Sequence, residues 1–474
     1  MTSTVADPAR RDRLSDLFRG GNAGAVIVLC GGFLLAAITM YITTALMPSI
    51  VAELGGQEWY AWPTTSYIVV SIIGVSLVSQ AMVRLGPVGA YLLAFGSYLL
   101  GSLVCALAVS MPMLVAGRAV VGLGGGLLSG LGYALVRTVL PQRLWGRATA
   151  VISAIFGIGT LVGPVLGGAF AQANAWRVAF VVIAALGLLL ALLTPRVLAG
   201  HAGSGAVERF PPGSTLLVTM TVLAISIASL HHGAAQLGLL GLAAVGLLAF
   251  LAWDRRSAAG VLPRSAFAAG SPMRWVLLAN GLLTVAVVIE AFAPLFGQQM
   301  AGLPPLVAGL FGAAVSFGWS FFGLLGARAV SPRAQSAMIV VGPVLLAAGL
   351  LATALTQAEP AGPMLAVLWF VLMIIGGAGI GLAFPNLSVA TLASAPDAEA
   401  AKAGSAIPLT GLLAQSFGAA IAGLLVNAGL PSMPQAATNL YLALAGFAAL
   451  SAVCAALAVR GRVFGSTQQS APAP

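Results

Sequence analysis

The sequence is poor in charged residues. Only 7% of its 474 residues are charged, with 21 Lys and Arg against 11 Asp and Glu, whereas a soluble globular protein carries roughly 25%. So few charges cannot cover the surface of a soluble chain of this length. The shortage excludes soluble enzymes and nucleic-acid-binding domains. A hydrophobic content of 60% and a mean hydropathy of +1.04 instead predict an all-α polytopic membrane protein.

Residues that build nucleotide, metal and catalytic sites are also scarce. Lys402 is the sole lysine and follows Ala401, so the phosphate-binding pattern GxxxxGK[ST] cannot occur. The three cysteines, Cys30, Cys105 and Cys454, lie in long apolar runs without CxxC spacing or neighbouring histidines, which favours packing roles. We therefore expect no enzyme activity, no bound metal and no cofactor.

Long apolar runs are what the sequence has in quantity. A membrane helix needs about 20 mostly apolar residues, and fourteen runs meet this requirement. The predicted spans are Ala25–Val51, Trp62–Met82, Val88–Val109, Met113–Val139, Ala148–Ala171, Val178–Leu193, Ser214–Leu230, Gly233–Trp253, Trp275–Met300, Pro305–Ala327, Ser336–Thr356, Met364–Leu392, Ala403–Gly429 and Ala437–Val459.

The polar connections group these spans as six, two and six. The predicted organisation is an N-terminal tail (1–24), a six-helix bundle (25–198), a linker (199–273) that carries a two-helix hairpin (214–253), a second six-helix bundle (274–460) and a C-terminal tail (461–474). The fourth and twelfth spans contain the similar glycine-rich stretches GLGGGLLSG and GGAGIGLAF. This similarity is weak evidence that the two bundles are internal repeats.

Basic residues are distributed asymmetrically among the connections. If the N-terminus is cytoplasmic and the spans alternate, 19 of the 21 basic residues fall on the cytoplasmic side. Arg177 falls outside, and Arg118 lies within a span. This excess follows the positive-inside rule. It predicts a multi-pass protein of the plasma (inner) membrane with both termini in the cytoplasm.

The fifth span contains the stretch GTLVGPVLGG, which includes Gly159, Gly163, Pro164, Gly167 and Gly168. Glycines at helical spacing let two helix backbones approach closely, and a proline bends its helix. Two interpretations are open. The stretch serves helix packing alone, or its bend and close contact also decide how easily two bundles rock against each other.

This stretch matches GxxxGPxxGG, the antiporter motif of the major facilitator superfamily, at every fixed position. Trp176-Arg177-Val-Ala-Phe180 resembles the WRxxF at the start of that family's sixth span, and Gly117-Arg118 with the glycines that follow resembles its fourth-span motif. The six-two-six layout is similar to the fourteen-span drug:proton antiporter branch. The resemblance covers nearly the whole chain. It implies two six-helix bundles around a central cavity, an inserted hairpin, alternating access and a monomer.

The chain departs from the family pattern at two acidic positions. The family's cytoplasmic gating loop usually reads GxxxDRxGRR. Here Arg84 and Gly86 are retained, but Val83 replaces the acid and Pro87 replaces the second basic residue. The branch also often carries an aspartate in its first span, where this chain has Thr39. One usual coupling carboxylate is therefore missing.

Glu290 and Arg118 are the charged residues that lie well inside spans. Of the 11 acids, only Glu290 is well inside one. A lone buried carboxylate is costly when ionised, so such a group can bind and release a proton. It is either a coupling carboxylate or cation anchor, or a carboxyl that faces water or a neighbour without a transport role. Arg118 either polarises proton release or meets an anionic group, or it hydrogen-bonds to carbonyls of a broken helix.

Other polar and aromatic residues inside spans are candidates for lining the cavity. For each of them alone, the more common interpretation is a packing residue whose polar group is satisfied locally. The cavity candidates are Thr39, Thr43, Tyr67, Tyr133, Trp319 and Gln415, with Tyr41 beside them in the first span.

The resemblance implies a secondary active transporter. The expected activity is proton-coupled export of drugs or other amphipathic small molecules, with the lipid bilayer, a small-molecule substrate and protons as partners, and no nucleic acid. A dedicated exporter of a single metabolite, lipid-like molecule or siderophore fits the composition equally well. A non-transporting membrane sensor or scaffold, which would bind partners through the Arg-rich loops, is a third hypothesis.

Overall fold

The computed structural model describes residues 22–56, 59, 62–140, 142–198, 211–228, 231, 233–257, 260–326, 331–461 and 463. Most of the two predicted tails lies outside these ranges, as does the linker segment 199–210. The same holds for some of the basic residues counted above: Arg10, Arg11, Arg13, Arg19, Arg209, Arg328 and Arg462.

The described residues fold into fifteen α-helices and no strands, so the all-α prediction is confirmed. The helices are α1 (Asn22–Leu54), α2 (Trp62–Ser76), α3 (Val78–Ala106), α4 (Met111–Val139), α5 (Gln142–Gln172), α6 (Trp176–Leu198), α7 (Pro212–Ala228), α8 (Ala234–Arg256), α9 (Met273–Val287), α10 (Ile289–Ala301), α11 (Pro305–Gly326), α12 (Pro332–Leu355), α13 (Pro363–Ala393), α14 (Ala400–Gly429) and α15 (Met433–Arg460).

The helices supply eleven stretches that are long and apolar enough to cross a membrane, within the ranges given above. Helices α9 and α10 form one of these stretches, Met273–Ala301. Three shorter apolar stretches accompany them: Trp62–Ser76, Pro212–Ala228 and Leu310–Gly326. The predicted count of fourteen spans stays a prediction, because these three are shorter than the roughly 20 residues that a full crossing needs.

The two glycine-rich stretches pack in equivalent ways. On α4, a Cβ atom added to Gly126 would overlap the carbonyl oxygen of Ser71 on α2. On α13, a Cβ atom added to Gly377 would overlap the carbonyl oxygen of Val315 on α11. Each stretch lets one helix backbone touch its neighbour directly. The weak sequence similarity between the two halves therefore corresponds to a shared packing arrangement.

The predicted hairpin, α7 and α8, lies against the bundles through one of its two helices. Val218 and Val222 of α7 are fully buried and belong to the hydrophobic core of α1–α6. Ile225 of α7 packs in a small cluster with Ala420 of α14. Much of α8 is exposed, as expected of a helix that faces lipid.

Basic residues cluster beside the Gly86 break inside α3 and at the helix ends where the chain passes from α4 to α5, from α8 to α9 and from α13 to α14. We call this the arginine-rich end; its described members include Arg84, Arg147, Arg255, Arg274 and Lys402.

The two bundles meet between mid-helix and the arginine-rich end. A Cβ atom on Gly404 of α14 would lie 2.7 Å from the backbone nitrogen of Ala134 on α4. The hydroxyl of Thr149 on α5 lies 3.3 Å from the carbonyl oxygen of Pro385 on α13. Such close contacts leave no passage between these helices. The bundles are therefore closed against each other at the arginine-rich end.

Candidate functional site

Glu290 lies at a break in the helix pair α9–α10. The first helix ends at Val287 and the second begins at Ile289. Pro294 has no backbone N–H to donate to the carbonyl of Glu290 four residues earlier. Gly312 brings α11 close to this point, since a Cβ atom there would lie 2.8 Å from the Glu290 carbonyl oxygen. The irregular backbone places a partly buried carboxylate between α10 and α11.

Two hydroxyl groups connect Glu290 to the opposite bundle. Ser316 of α11 donates to Glu290 Oε1 at 2.7 Å. The Ser316 hydroxyl is also hydrogen-bonded to the hydroxyl of Thr160 on α5. Thr160 lies 2.7 Å from the carbonyl oxygen of Gly157 in its own helix. The acid of the second bundle thus reaches the motif helix of the first bundle in two hydrogen bonds. Neither hydroxyl was predicted from the sequence, although Thr160 directly follows the first motif glycine.

Tyr41 and Gln415 bring two further helices to this site. The Tyr41 side chain of α1 lies beside the Gln415 side chain of α14, and it is close enough to Glu290 to interact with its charge. Both Tyr41 and Gln415 are partly buried. The site therefore joins α1 and α5 of the first bundle to α10, α11 and α14 of the second.

The glycines of the antiporter motif hold α5 against α1. Added Cβ atoms on Gly159, Gly163 and Gly167 would lie 2.5, 2.7 and 2.7 Å from the Cβ atoms of Ala37, Tyr41 and Ala45, respectively. These contacts repeat every four residues on both helices, as a shared helix face requires. Gly168 lies off this face, with nothing within 4 Å of an added Cβ atom. The side chain of Pro164 lies outside the described part of the structure.

Arg118 forms a second polar cluster within the first bundle. Its side chain is 0% exposed. Its Nε atom donates to the Pro63 carbonyl at 3.3 Å and its Nη1 atom to the Thr39 carbonyl at 3.5 Å. The guanidinium group also lies 4.5 Å from the centre of the Tyr67 ring, at cation–π distance. Within the described ranges, Nη2 has no hydrogen-bond partner and no contact joins Arg118 to Glu290.

The remaining predicted cavity residues are buried. The Thr39 and Thr43 hydroxyls bond to carbonyls one turn earlier in α1. The Tyr133 ring packs edge-on against Phe33. Trp319 donates from Nε1 to Ser153 Oγ of α5 at 2.6 Å, and its ring packs at a tilt against the Phe384 ring. These four side chains fill helix interfaces in this conformation, and Trp319 is part of the contact between the bundles.

The gating-loop residues lie at a sharp turn. Gly86 has φ 68° and ψ 176°, a conformation that is essentially restricted to glycine. Arg84 beside it is exposed. The chain therefore turns at one residue, without the acid that the family pattern would place at Val83.

The WRxxF motif anchors the opposite end of the first bundle. Trp176 Nε1 donates to Glu53 Oε2 at 2.6 Å, and Arg177 forms an ion pair with the same carboxylate. Arg177 also donates to the Ala108 carbonyl at 3.0 Å. The hydrogen bond from Trp176, followed by that from Arg177, lowers the pKa of Glu53. These contacts tie together α1, α6 and the connection between α3 and α4.

Comparisons with known proteins agree with this architecture. The family profile described as Major Facilitator Superfamily matches residues 29–418. A protein of Mycobacterium tuberculosis named "Probable multidrug-efflux transporter" is 40% identical over 439 residues, which make up 91% of this chain and 93% of that protein.

Two solved structures share the fold. A human organic anion transporter has a TM-score of 0.66 at 15% identity, covering 91% of this chain and 99% of that chain. A proton:xylose symporter has a TM-score of 0.67 at 17% identity, covering 91% of this chain and 94% of that chain. At these identities the likeness shows the fold alone. The matches confirm the predicted resemblance: the chain belongs to the major facilitator superfamily and is an integral membrane transporter, not an enzyme.

Proposed function

We propose that this transporter exports amphipathic, cationic small molecules in exchange for protons. The observation that carries the proposal is the position of Glu290. It is a partly buried acid at the junction of the two bundles, hydrogen-bonded through Ser316 and close to Tyr41. A carboxylate in such a place is neutral when protonated and attracts cations when ionised. Proton and cationic substrate can therefore compete for one group, which is the simplest basis for exchange.

The similarity to a protein named as a multidrug-efflux transporter supports export of drug-like molecules. The proposed cycle is alternating access, in which the two bundles rock against each other. In the structure the bundles touch at the arginine-rich end, which the positive-inside rule assigns to the cytoplasm. The proposal includes fourteen spans in the inner membrane, cytoplasmic termini and a monomeric transporter.

Arg118 has a separate role in this proposal. Its partners Pro63, Thr39 and Tyr67 belong to α1 and α2. A buried cation at this place joins three helices of the first bundle and favours their movement as one body. Its free Nη2 donor is available to a water molecule or an anionic group in another conformation.

The test is transport by purified protein in liposomes with an imposed pH gradient and a fluorescent lipophilic cation. We compare wild type, Glu290→Gln and the matched control Glu359→Gln, whose acid is exposed. We expect gradient-driven flux in the wild type and control, and loss of this flux in Glu290→Gln. Equal flux in all three proteins would refute the role of Glu290. Absence of flux in the wild type would refute transport of this cation class and favour the dedicated exporter.

A further inference from the structure

The hydroxyls of Ser316 and Thr160 form the direct link between Glu290 and the helix that carries the antiporter motif. Ser316 is 2% exposed and Thr160 is 8% exposed, so water competes little for their hydrogen bonds. Ser316 belongs to α11 and Thr160 to α5. Their mutual hydrogen bond therefore crosses from one bundle to the other.

The hydrogen-bond chain Glu290–Ser316–Thr160 contains one more hydrogen when Glu290 is protonated than when it is ionised. A hydroxyl group has one hydrogen to donate, and an ionised carboxylate only accepts. When Glu290 is ionised, Ser316 donates to its Oε1 atom and must then accept from Thr160. The single hydroxyl hydrogen of Thr160 then points to Ser316 and is no longer donated to the Gly157 carbonyl. The bond between the bundles is thus the second link of a chain that ends on a charge. Such a chain is polarised, and its bonds are stronger than those between neutral groups.

Protonation of Glu290 reverses the chain. The carboxyl group becomes a donor to Ser316, Ser316 donates to Thr160, and Thr160 donates to the carbonyl of Gly157, 2.7 Å away. Every hydrogen again has an acceptor, but no charge remains at the end of the chain. The bond between the bundles is then an ordinary hydroxyl–hydroxyl bond, without the strengthening of about 10–30% per bond that polarisation by a charge at the end of the chain supplies.

The helices around Glu290 contribute few other titratable groups. Helices α11 and α13, which pack against α10, have no titratable side chains, while α1 contributes Tyr41 and α15 contributes Tyr441. The nearest described basic residues on α5 and α14, Arg147 and Lys402, lie 13 positions from Thr160 and Gln415. That spacing corresponds to about 20 Å along a helix. No basic side chain of these helices neutralises the carboxylate.

We propose that Ser316 and Thr160 are positioning residues that transmit the protonation state of Glu290 to α5 and so to the contact between the bundles. This inference rests on the proposed role of Glu290 as the proton-coupling acid. Ionised Glu290 strengthens the link between α5 and α11 and holds the arginine-rich end closed. Protonation weakens this link, so the bundles separate more readily at that end. This direction of the effect suits a proton-coupled exporter, because the protonated transporter is the one that must open to the cytoplasm and release its proton.

The experiment measures the separation of the bundles directly. Spin labels are placed at Gly146→Cys on α5 and Gln335→Cys on α12, where an added Cβ atom on Gly146 would lie 3.9 Å from Gln335 Nε2. The three native cysteines are replaced by alanine. The label-to-label distance is measured in liposomes in an acidic and in an alkaline buffer. In the otherwise unchanged protein we expect a longer distance in the acidic buffer.

The variants distinguish a relay through the hydrogen-bond chain Glu290–Ser316–Thr160 from a general weakening of the interface. Thr160→Val and Ser316→Ala break the chain, and we expect both to lose the pH-dependent change in distance. Thr160→Ser retains the hydroxyl and should retain the change. Thr149→Val is the matched control. The Thr149 hydroxyl is shared between the Trp145 carbonyl of its own helix and the Pro385 carbonyl across the interface, and this contact does not lead to Glu290. Thr149→Val should also retain the change.

Three outcomes would overturn the inference. The first is a wild-type pH response in Thr160→Val and Ser316→Ala while Glu290→Gln lacks it; the proposed function would then stand without the relay. The second is an unchanged response in Glu290→Gln, which would show that another group senses the proton. The third is equal loss in Thr149→Val and Thr160→Val, which would assign the effect to the interface as a whole. The liposome flux of Glu290→Gln tests the proposed function separately.

Discussion

Substitution of Gly163 by alanine tests the contact between α1 and α5. The new Cβ atom would lie 2.7 Å from Tyr41 Cβ, 3.2 Å from the Ile38 carbonyl oxygen and 3.3 Å from the Ile42 backbone nitrogen. Carbon atoms in ordinary contact are about 3.5–4.0 Å apart, so the helices must separate by about 1 Å. Two of the three neighbours are backbone atoms, which cannot rotate away. We expect a loss of stability of about 1–3 kcal/mol, as is typical of an overpacked interface.

Gly168→Ala is the control for Gly163→Ala in the same motif. Nothing lies within 4 Å of an added Cβ atom at Gly168. The substitution should be neutral or stabilise the helix by up to about 1 kcal/mol, the difference between glycine and alanine in a helix interior. The assay is thermal unfolding of both purified variants in detergent, together with liposome flux. Because Tyr41 lies near Glu290, its displacement should also lower the flux of Gly163→Ala. Equal unfolding temperatures for the two variants would refute the close-contact argument.

Two further substitutions test the turn and the anchor of the first bundle. Gly86→Ala should destabilise the protein by about 1–3 kcal/mol through backbone conformation alone. The reason is that φ is 68° at Gly86, while an added Cβ atom meets nothing within 4 Å. Thermal unfolding tests this prediction, with Gly96→Ala as the control, because Gly96 is a helical glycine whose surroundings are equally open. Glu53→Gln should lower the unfolding temperature at neutral pH, because the lowered pKa of Glu53 means that its ionised form stabilises the fold. That contribution is present above the ordinary carboxyl pKa of about 4.3 and is lost as the pH falls through the lowered value. The gap between Glu53→Gln and wild type should therefore narrow in acid, and a gap that is constant with pH would contradict this explanation.

Much of the fold followed from the sequence because membrane helices leave a strong signal. Apolar runs predicted helices throughout, and the structure has them. Two predicted spans are divided, however: Trp62–Met82 at Leu77, between α2 and α3, and Trp275–Met300 at Val288, between α9 and α10. The break near Glu290 was not predicted. Its cause is local, since Pro294 leaves the Glu290 carbonyl without a helix donor.

Only part of the candidate site could be predicted from the sequence. Glu290 was identified because an acid inside an apolar run is costly and rare. Thr160 and Ser316 were missed because hydroxyls in membrane helices usually bond to the carbonyl one turn earlier, as Thr43 does here. Only the packing of α5 against α11 distinguishes a hydroxyl that crosses the interface from one that satisfies its own helix.

Thr160 connects the helix that carries the antiporter motif to the second bundle. Its glycines fix α5 on α1, with Gly163 against Tyr41, while the intervening Thr160 faces α11. Contact on one face makes α5 move with the first bundle, and the hydrogen bond on another face links it to the acid of the second bundle. Tyr41 connects α1 to Gln415 in the same region. A change of charge at Glu290 therefore acts where rigid packing and the contact between the bundles meet. That placement is what the proposed exchange of a proton for a substrate requires.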